Sequence, residues 1–157
     1  MRRHKGLRPF MVRADSFGPG CPVTDTRFSR QHRILLTARM VSHAKIDAAG
    51  GLAPVHTLTS VGGIQEQCPT AGITHFHILT EDHNLLWSNG IATETLLLTA
   101  YSNGLIDRQP DPIVGTPPDF GLGDMAQSRP ILHNKLALSI AEKIKRSHYA
   151  RTVVNVR

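Results

Sequence analysis

Residues 8–36 read RPFMVRADSFGPGCPVTDTRFSRQHRILL, and residues 75–95 read HFHILTEDHNLLWSNGIATET. Each sets a histidine beside a strand-like apolar run, with a hydroxyl or carboxyl group close in sequence. In the first stretch, residues 10–14 (FMVRA) form a short strand candidate. FGPGCP (17–22) is a tight Gly/Pro turn, and RILLTARM (33–40) holds an apolar run consistent with a buried strand. In the second, residues 74–79 are predicted as a strand, EDHN as a turn and residues 85–88 as another strand, followed by an Asn89-Gly90 turn. Acidic and Asn residues between two β runs are a hairpin signal. Between the two stretches, LAPVHTL (52–58) reads as a strand and SVGG (60–63) as a turn. The expected core is therefore β.

The remainder of the chain is organised differently. Residues 108–118, RQPDPIVGTPP, hold four prolines and read as an irregular connection. Ser128-Arg129-Pro130 is expected to open a helix, with Ser128 as its cap and proline in the first turn, where its missing N–H does no harm. Leu136, Ile140 and Ile144 follow at four-residue spacing with Ala137 and Ala141 beside them, an amphipathic stripe expected to pack on the sheet. The tail RTVVNV (151–156) reads as a final strand. The expected layout is a basic lead over 1–8, a β domain over 9–104, a Pro/Gly-rich connection over 105–127, and a helix and tail over 128–157.

Composition bounds the rest. A chain of 157 residues buries roughly 70% of its unfolded surface as one domain. Hydrophobic residues make up 40% and aromatics 5%, so the core is expected to be aliphatic, with Trp87 inside it. No apolar run approaches the ~18 residues of a membrane span. The basic start lacks the ~7–15-residue apolar core of a signal peptide. The compartment is left undetermined. The net charge is +6, much of it in Arg2, Arg3, Lys5 and Arg8 and in Lys143, Lys145, Arg146 and Arg151. No aromatic residues interleave with these clusters as a single-strand binder would want, so solvated ends are favoured over a nucleic-acid face. Cys21 and Cys68 form neither a CxxC pair nor a disulfide framework.

The candidate chemistry lies in Ser29-Arg30-Gln31-His32, a hydroxyl three residues before a histidine. In an N-to-S acyl shift a thiol attacks the preceding backbone carbonyl, and the expelled amide nitrogen must be protonated. A histidine beside that amide can donate the proton, and a nearby hydroxyl can hold or polarise the scissile group.

The first stretch resembles the bacterial hedgehog/intein (Hint) autoprocessing domains in Arg8-Pro9, Val12-Arg13-Ala14, Gly18-Pro19-Gly20, Pro22, Asp25, Ser29 and His32-Arg33-Ile34-Leu35. The second resembles them in His77, His83, Asn89-Gly90 and Ala92-Thr93-Glu94, and Ser128-Arg129-Pro130 resembles the family's downstream Ala-Arg-Pro segment. The resemblance covers roughly residues 7–145. It implies an all-β, horseshoe-like fold, followed here by the C-terminal amphipathic helix. It also implies catalytic roles for His32 as the bond-labilising histidine, Ser29 as its hydroxyl companion, and His77 or His83 completing the site. No cofactor is implied. The partner is the flanking polypeptide or an amino-terminal Hint segment.

The chain departs from the family pattern in three ways. Family members begin with a nucleophilic Cys, sometimes Ser, upstream of the Arg-Pro block, whereas this sequence starts just before that block. It is therefore expected to be a truncated domain without autonomous cleavage, carrying an exposed sheet edge prone to self-association. Cys21, in the Gly-Pro-Gly-x-Pro turn, is a bystander. Glu94-Thr95 stands where splicing members end in His-Asn, and His133-Asn134 is a coincidental match. Arg30 replaces the usual proline before His32, which is expected to loosen that turn.

Other readings weigh against this one. His75, His77 and Glu81, with His133 as a distant fourth ligand, echo a cupin metal site, since positions 75 and 77 share one strand face. The glycine spacings around that cluster fit poorly, and the plainer reading is one face of a half-exposed strand. Arg33 and Arg39 are expected to be solvated or paired with Asp25 or Glu94, with anion stabilisation the functional alternative.

Overall fold

The computed structural model describes residues 7–40, 49–70, 72–100, 102 and 124–154. The proline-rich stretch 108–118 and the basic residues Arg2, Arg3 and Lys5 lie outside them. Among the described residues, two antiparallel sheets and one long helix make up the fold. The first sheet joins β1 (Phe10–Val12), β2 (Thr26–Phe28) and β5 (Ile64–Glu66) in the order β2-β1-β5. The second joins β3 (Arg33–Leu36), β4 (Gly51–Pro54), β6 (Leu85–Ser88) and β7 (Ile91–Glu94) in the order β4-β3-β7-β6. An all-β architecture with a C-terminal helix, as expected, is what the chain adopts.

Register follows burial. β1 places Phe10 opposite Phe28 and Glu66, and Val12 opposite Thr26 and Ile64, so both buried β1 residues face inward while Met11 between them does not. A one-residue slip would turn Phe10 and Val12 to solvent. In β3, Ile34 and Leu36 enter the main core and Leu35 enters a second cluster with Leu52 and Ala92. β3 is buried on both faces because the main core covers one and the second cluster the other, which is why RILL reads as a continuous apolar run.

The helix α1 (Asn134–Val154) lays Ala137, Ile140, Ala141 and Ile144 into the same core as Val55, Leu58 and Ile34. That is the stripe expected from the sequence. The helix starts later than expected. His133, not Ser128, caps it: its Nδ1 accepts the Leu136 N–H at 3.2 Å, and its carbonyl accepts from Ala137 at 3.1 Å. The chain between Ser128 and His133 instead follows β4, with Leu52 N–H bonded to Pro130 O and Leu132 N–H bonded to Leu52 O, each at 2.9 Å. The expected final strand at 151–156 is also corrected, since the helix runs on through Val154.

Three further expectations are corrected. LAPVHTL is not one strand: β4 ends at Pro54, and residues 55–58 close a 3-10 turn. Proline, lacking an N–H, ends the ladder there. Residues 74–79 join neither sheet among the described residues, although Leu96 donates to Ile78 O at 2.7 Å. The hairpin lies one segment later, between β6 and β7. Trp87 is 78% exposed. It shares a face of β6 with Leu85, and only the Leu85 end of that face packs on the second cluster.

The β6–β7 hairpin turns on Asn89 (φ 50) and Gly90 (φ 85), the pair of left-handed residues that a two-residue I′ turn requires. Its tip docks on the Gly18-Pro19-Gly20 turn: Val23 N–H donates to Asn89 O at 2.7 Å, and a Cβ at Gly90 would run into the Gly20 carbonyl oxygen. Gly90→Ala combines a strained φ with that collision. It is expected to cost about 1–3 kcal/mol, read as a lower urea midpoint with an unchanged slope.

Candidate active site

A cleft of about 750 Å³ opens beside the His32 turn, lined by Phe28, Ser29, His32, Cys68, His75 and Thr93 among others. Ser29–His32 forms its wall. The turn closes with His32 N–H on Ser29 O at 3.1 Å, and the His32 carbonyl accepts from Val55 N–H at 2.9 Å. The imidazole stacks on Phe28, centroids 5.1 Å apart and planes 20° from parallel.

Arg30, where proline was expected, makes contacts of its own beside this turn. Its guanidinium lies 5.7 Å from the Phe10 ring centroid and 3.4 Å from the Glu66 carboxylate. Its carbonyl meets His56 Nδ1 at 3.1 Å.

The His32 Nε2 atom is buried and has no hydrogen-bond partner. Burial, followed by the positive fields of His77 and Arg33, pushes the His32 pKa down to about 4. Loss of hydration penalises the charged ring, and neighbouring cations add to that. His32 is therefore neutral at pH 7, and its buried Nε2 carries no hydrogen bond. The same shift carries a stability signature. An unfolded histidine titrates near 6.5, so between pH 6.5 and 4 the unfolded chain binds a proton that the folded chain refuses. Stability should fall across that window by up to about 3 kcal/mol and level off below it. His32→Gln should flatten this part of the profile in chemical denaturation at stepped pH.

Around His32 the other candidates divide. Ser29 lines the cleft. His77 stands close enough for its charge to act on His32. Its own pKa is lowered by partial desolvation and by His75, with Glu94 pulling the other way. His83 is buried and is not among the residues lining the cleft. Its Nδ1 accepts the Ser128 N–H at 3.1 Å, which leaves the proton on Nε2, directed at Glu94 Oε2 at 3.2 Å. Both ring nitrogens are thus engaged within the protein.

Glu94 is the centre of that arrangement. It is buried in β7, accepts the Arg33 backbone N–H at 3.0 Å on Oε1, and accepts the Arg33 guanidinium at 2.8 Å on Oε2. Of the two expected partners for Arg33, the structure selects Glu94. Asp25 is used instead by the Ala14 N–H at 2.9 Å. The involvement of Ser128 had no sequence signal, because its partner His83 lies 45 residues away.

The cupin alternative loses its geometry. Among the described residues, no group of three His, Cys, Asp or Glu side chains is placed to hold a metal ion. The cupin set is dispersed: His75 Nε2 meets Leu7 O at 3.0 Å, and His133 caps the helix. Cys21 Sγ contacts Gly90 O at 3.4 Å, and burial pushes its thiol pKa up, which suits a structural residue and not a nucleophile. Cys68 is exposed on the cleft wall.

A family model described as Hint domain matches residues 1–100. No match is found among the curated proteins or the solved structures.

Proposed function

Because the chain belongs to the Hint-domain family, we propose that the cleft beside His32 promotes an N-to-S acyl shift in a peptide bond presented to it. The bond and its thiol come from the flanking polypeptide or from a Cys-bearing Hint segment. The observation that carries this reading is the buried, unpartnered Nε2 of a neutral His32 on the wall of an open cleft. Neutral imidazole takes the thiol proton, and the resulting thiolate attacks the adjacent carbonyl carbon. The tetrahedral intermediate then collapses with cleavage of the C–N bond, and the same proton passes from the imidazolium to the departing amine. A thioester and a free amine result. With a resting pKa near 4 the imidazolium gives its proton up readily while the neutral ring is a weak base, so proton transfer from the thiol is the demanding step. Ser29 serves as the hydroxyl that polarises the carbonyl, and His77 tunes the charge at His32. No cofactor enters these steps. The exposed side chains of Phe76, Ile78 and Trp87 and the unpaired outer edge of β6 among the described residues support entry of an extended strand here.

The test is a fusion carrying a Cys-bearing Hint segment and an easily followed protein ahead of residue 1. Dithiothreitol should release the leading protein as a smaller band by capturing its thioester. A band unchanged by thiol, in a folded fusion, contradicts the reading.

A further inference from the structure

Among the described residues, two of the three buried side-chain atoms without a hydrogen-bond partner, His32 Nε2 and Arg33 Nε, lie on adjacent residues, and the peptide unit joining those residues is held at both ends. Its carbonyl, from His32, accepts from Val55 N–H at 2.9 Å. Its amide, from Arg33, donates to Glu94 Oε1 at 3.0 Å. The second carboxylate oxygen of Glu94 receives the Arg33 guanidinium at 2.8 Å and the His83 Nε2–H at 3.2 Å. His83 is fixed in turn by Ser128 N–H at 3.1 Å. Ser128 lies beyond the residues 1–100 that match the family. Its segment is anchored independently, through Met125 N–H on Leu98 O at 3.0 Å and the two Leu52 bonds flanking Ile131.

We infer that Glu94 is a positioning residue for His32, acting through the Arg33 amide and guanidinium, and that segment 124–132 sets Glu94 in place through the Ser128–His83 hydrogen bond. The inference deepens the acyl-shift reading and rests on it for its catalytic consequence. The carboxylate neutralises Arg33 and at the same time stops the His32 backbone from rotating the imidazole off Phe28 and out to water. The charged or titratable groups facing His32 are His77, from the 72–80 segment, and Arg33, from β3. His75, Arg27 and Cys68 line the cleft beyond them. Segment 124–132 becomes a structural part of the site: whatever displaces it loosens His32.

The experiment follows the His32 imidazole by NMR pH titration in the whole chain, comparing the parent with Glu94→Asp. Aspartate keeps the charge but withdraws the carboxylate by about 1.5 Å, too far to hold Arg33 and His83 together. The His32 midpoint should then rise by about one pH unit or more, from about 4 toward the ordinary value, as the ring reaches water. Ile140→Val, which thins the helix packing without touching the site, should leave the midpoint where it was. An unchanged His32 midpoint in folded Glu94→Asp overturns the inference. Should Glu94→Asp fail to fold, amide exchange in the unsubstituted chain decides. Arg33 should be protected like the β3 ladder amides, and free exchange there overturns the inference. The titration needs no cleavage, so it stands apart from the fusion test. A moved midpoint in a chain that never forms thioester upholds the positioning and rejects the acyl shift. Thiol-dependent cleavage with an unmoved midpoint does the reverse.

Discussion

His32→Ala, in the fusion that presents a Cys-bearing segment, is expected to lower the rate of thiol-dependent release by ~10²–10⁴-fold, the range that general acid–base catalysis contributes. The size follows from the double duty of one nitrogen. Nε2 has no competing partner, so it is free to take the thiol proton and return it to the amine. With alanine there, the amine must leave unprotonated or wait for water to enter a partly desolvated cleft. Ser29→Ala should cost less, because a hydroxyl that polarises the carbonyl adds to the shift without carrying its proton. His77→Gln removes a positive field from His32 and should move the acid limb of the pH–rate profile to higher pH while leaving the maximum rate nearly unchanged. Release rates followed by gel densitometry across pH separate these outcomes. Equal rates for the parent and His32→Ala would remove His32 from the chemistry.

Glu94→Ala is expected to be the most destabilising single substitution at the site, at about 3–5 kcal/mol. The loss has identifiable parts. The Arg33 guanidinium, with a side chain only 25% exposed, loses its counter-charge. The His83 Nε2–H, on a side chain with no exposure at all, loses its acceptor. The Arg33 amide loses its hydrogen bond to the carboxylate. Breaking one member of a buried charged set costs far more than the set contributes as a whole, because the survivors stay desolvated and unpaired. For a domain of this size that is a fall in melting temperature of roughly 10 °C, measurable by calorimetry. The double variant Glu94→Leu with Arg33→Met should recover part of the loss, since it removes both charges and keeps apolar volume. Failure of the double variant to recover any stability would mean that the backbone anchor on Arg33, and not the uncompensated charge, dominates.

How far the sequence discloses this site depends on how local each contact is. The His32 turn is legible because Ser29 and His32 bond to each other across three residues, and because RILL announces a strand buried on both faces. The Asn89-Gly90 turn is legible because its two left-handed residues demand those side chains. The helix stripe is legible through its period, but the helix start is not. Ser128-Arg129-Pro130 has the composition of a cap, yet the β4 edge captures residues 130–132 and delays the first turn to His133. Residues 74–79 have strand composition and no ladder to join, and composition cannot report whether an edge is open. Trp87 misleads for a related reason: alternation assigns it a face, but cover on that face depends on chain far away. The Arg33–Glu94–His83–Ser128 chain is the least legible feature. Its members span three separated segments, and only the Arg33–Glu94 pairing was among the expected options.

The most direct measurement is the titration of the His32 imidazole itself, by nitrogen and carbon shifts in the unsubstituted protein from pH 3 to 8. A midpoint of about 4, with the ring neutral through the physiological range, is the expected result. A midpoint near 6.5, that of a histidine in open water, would mean that the ring is neither buried nor held in the cleft, and the proton transfer assigned to it would have to be withdrawn.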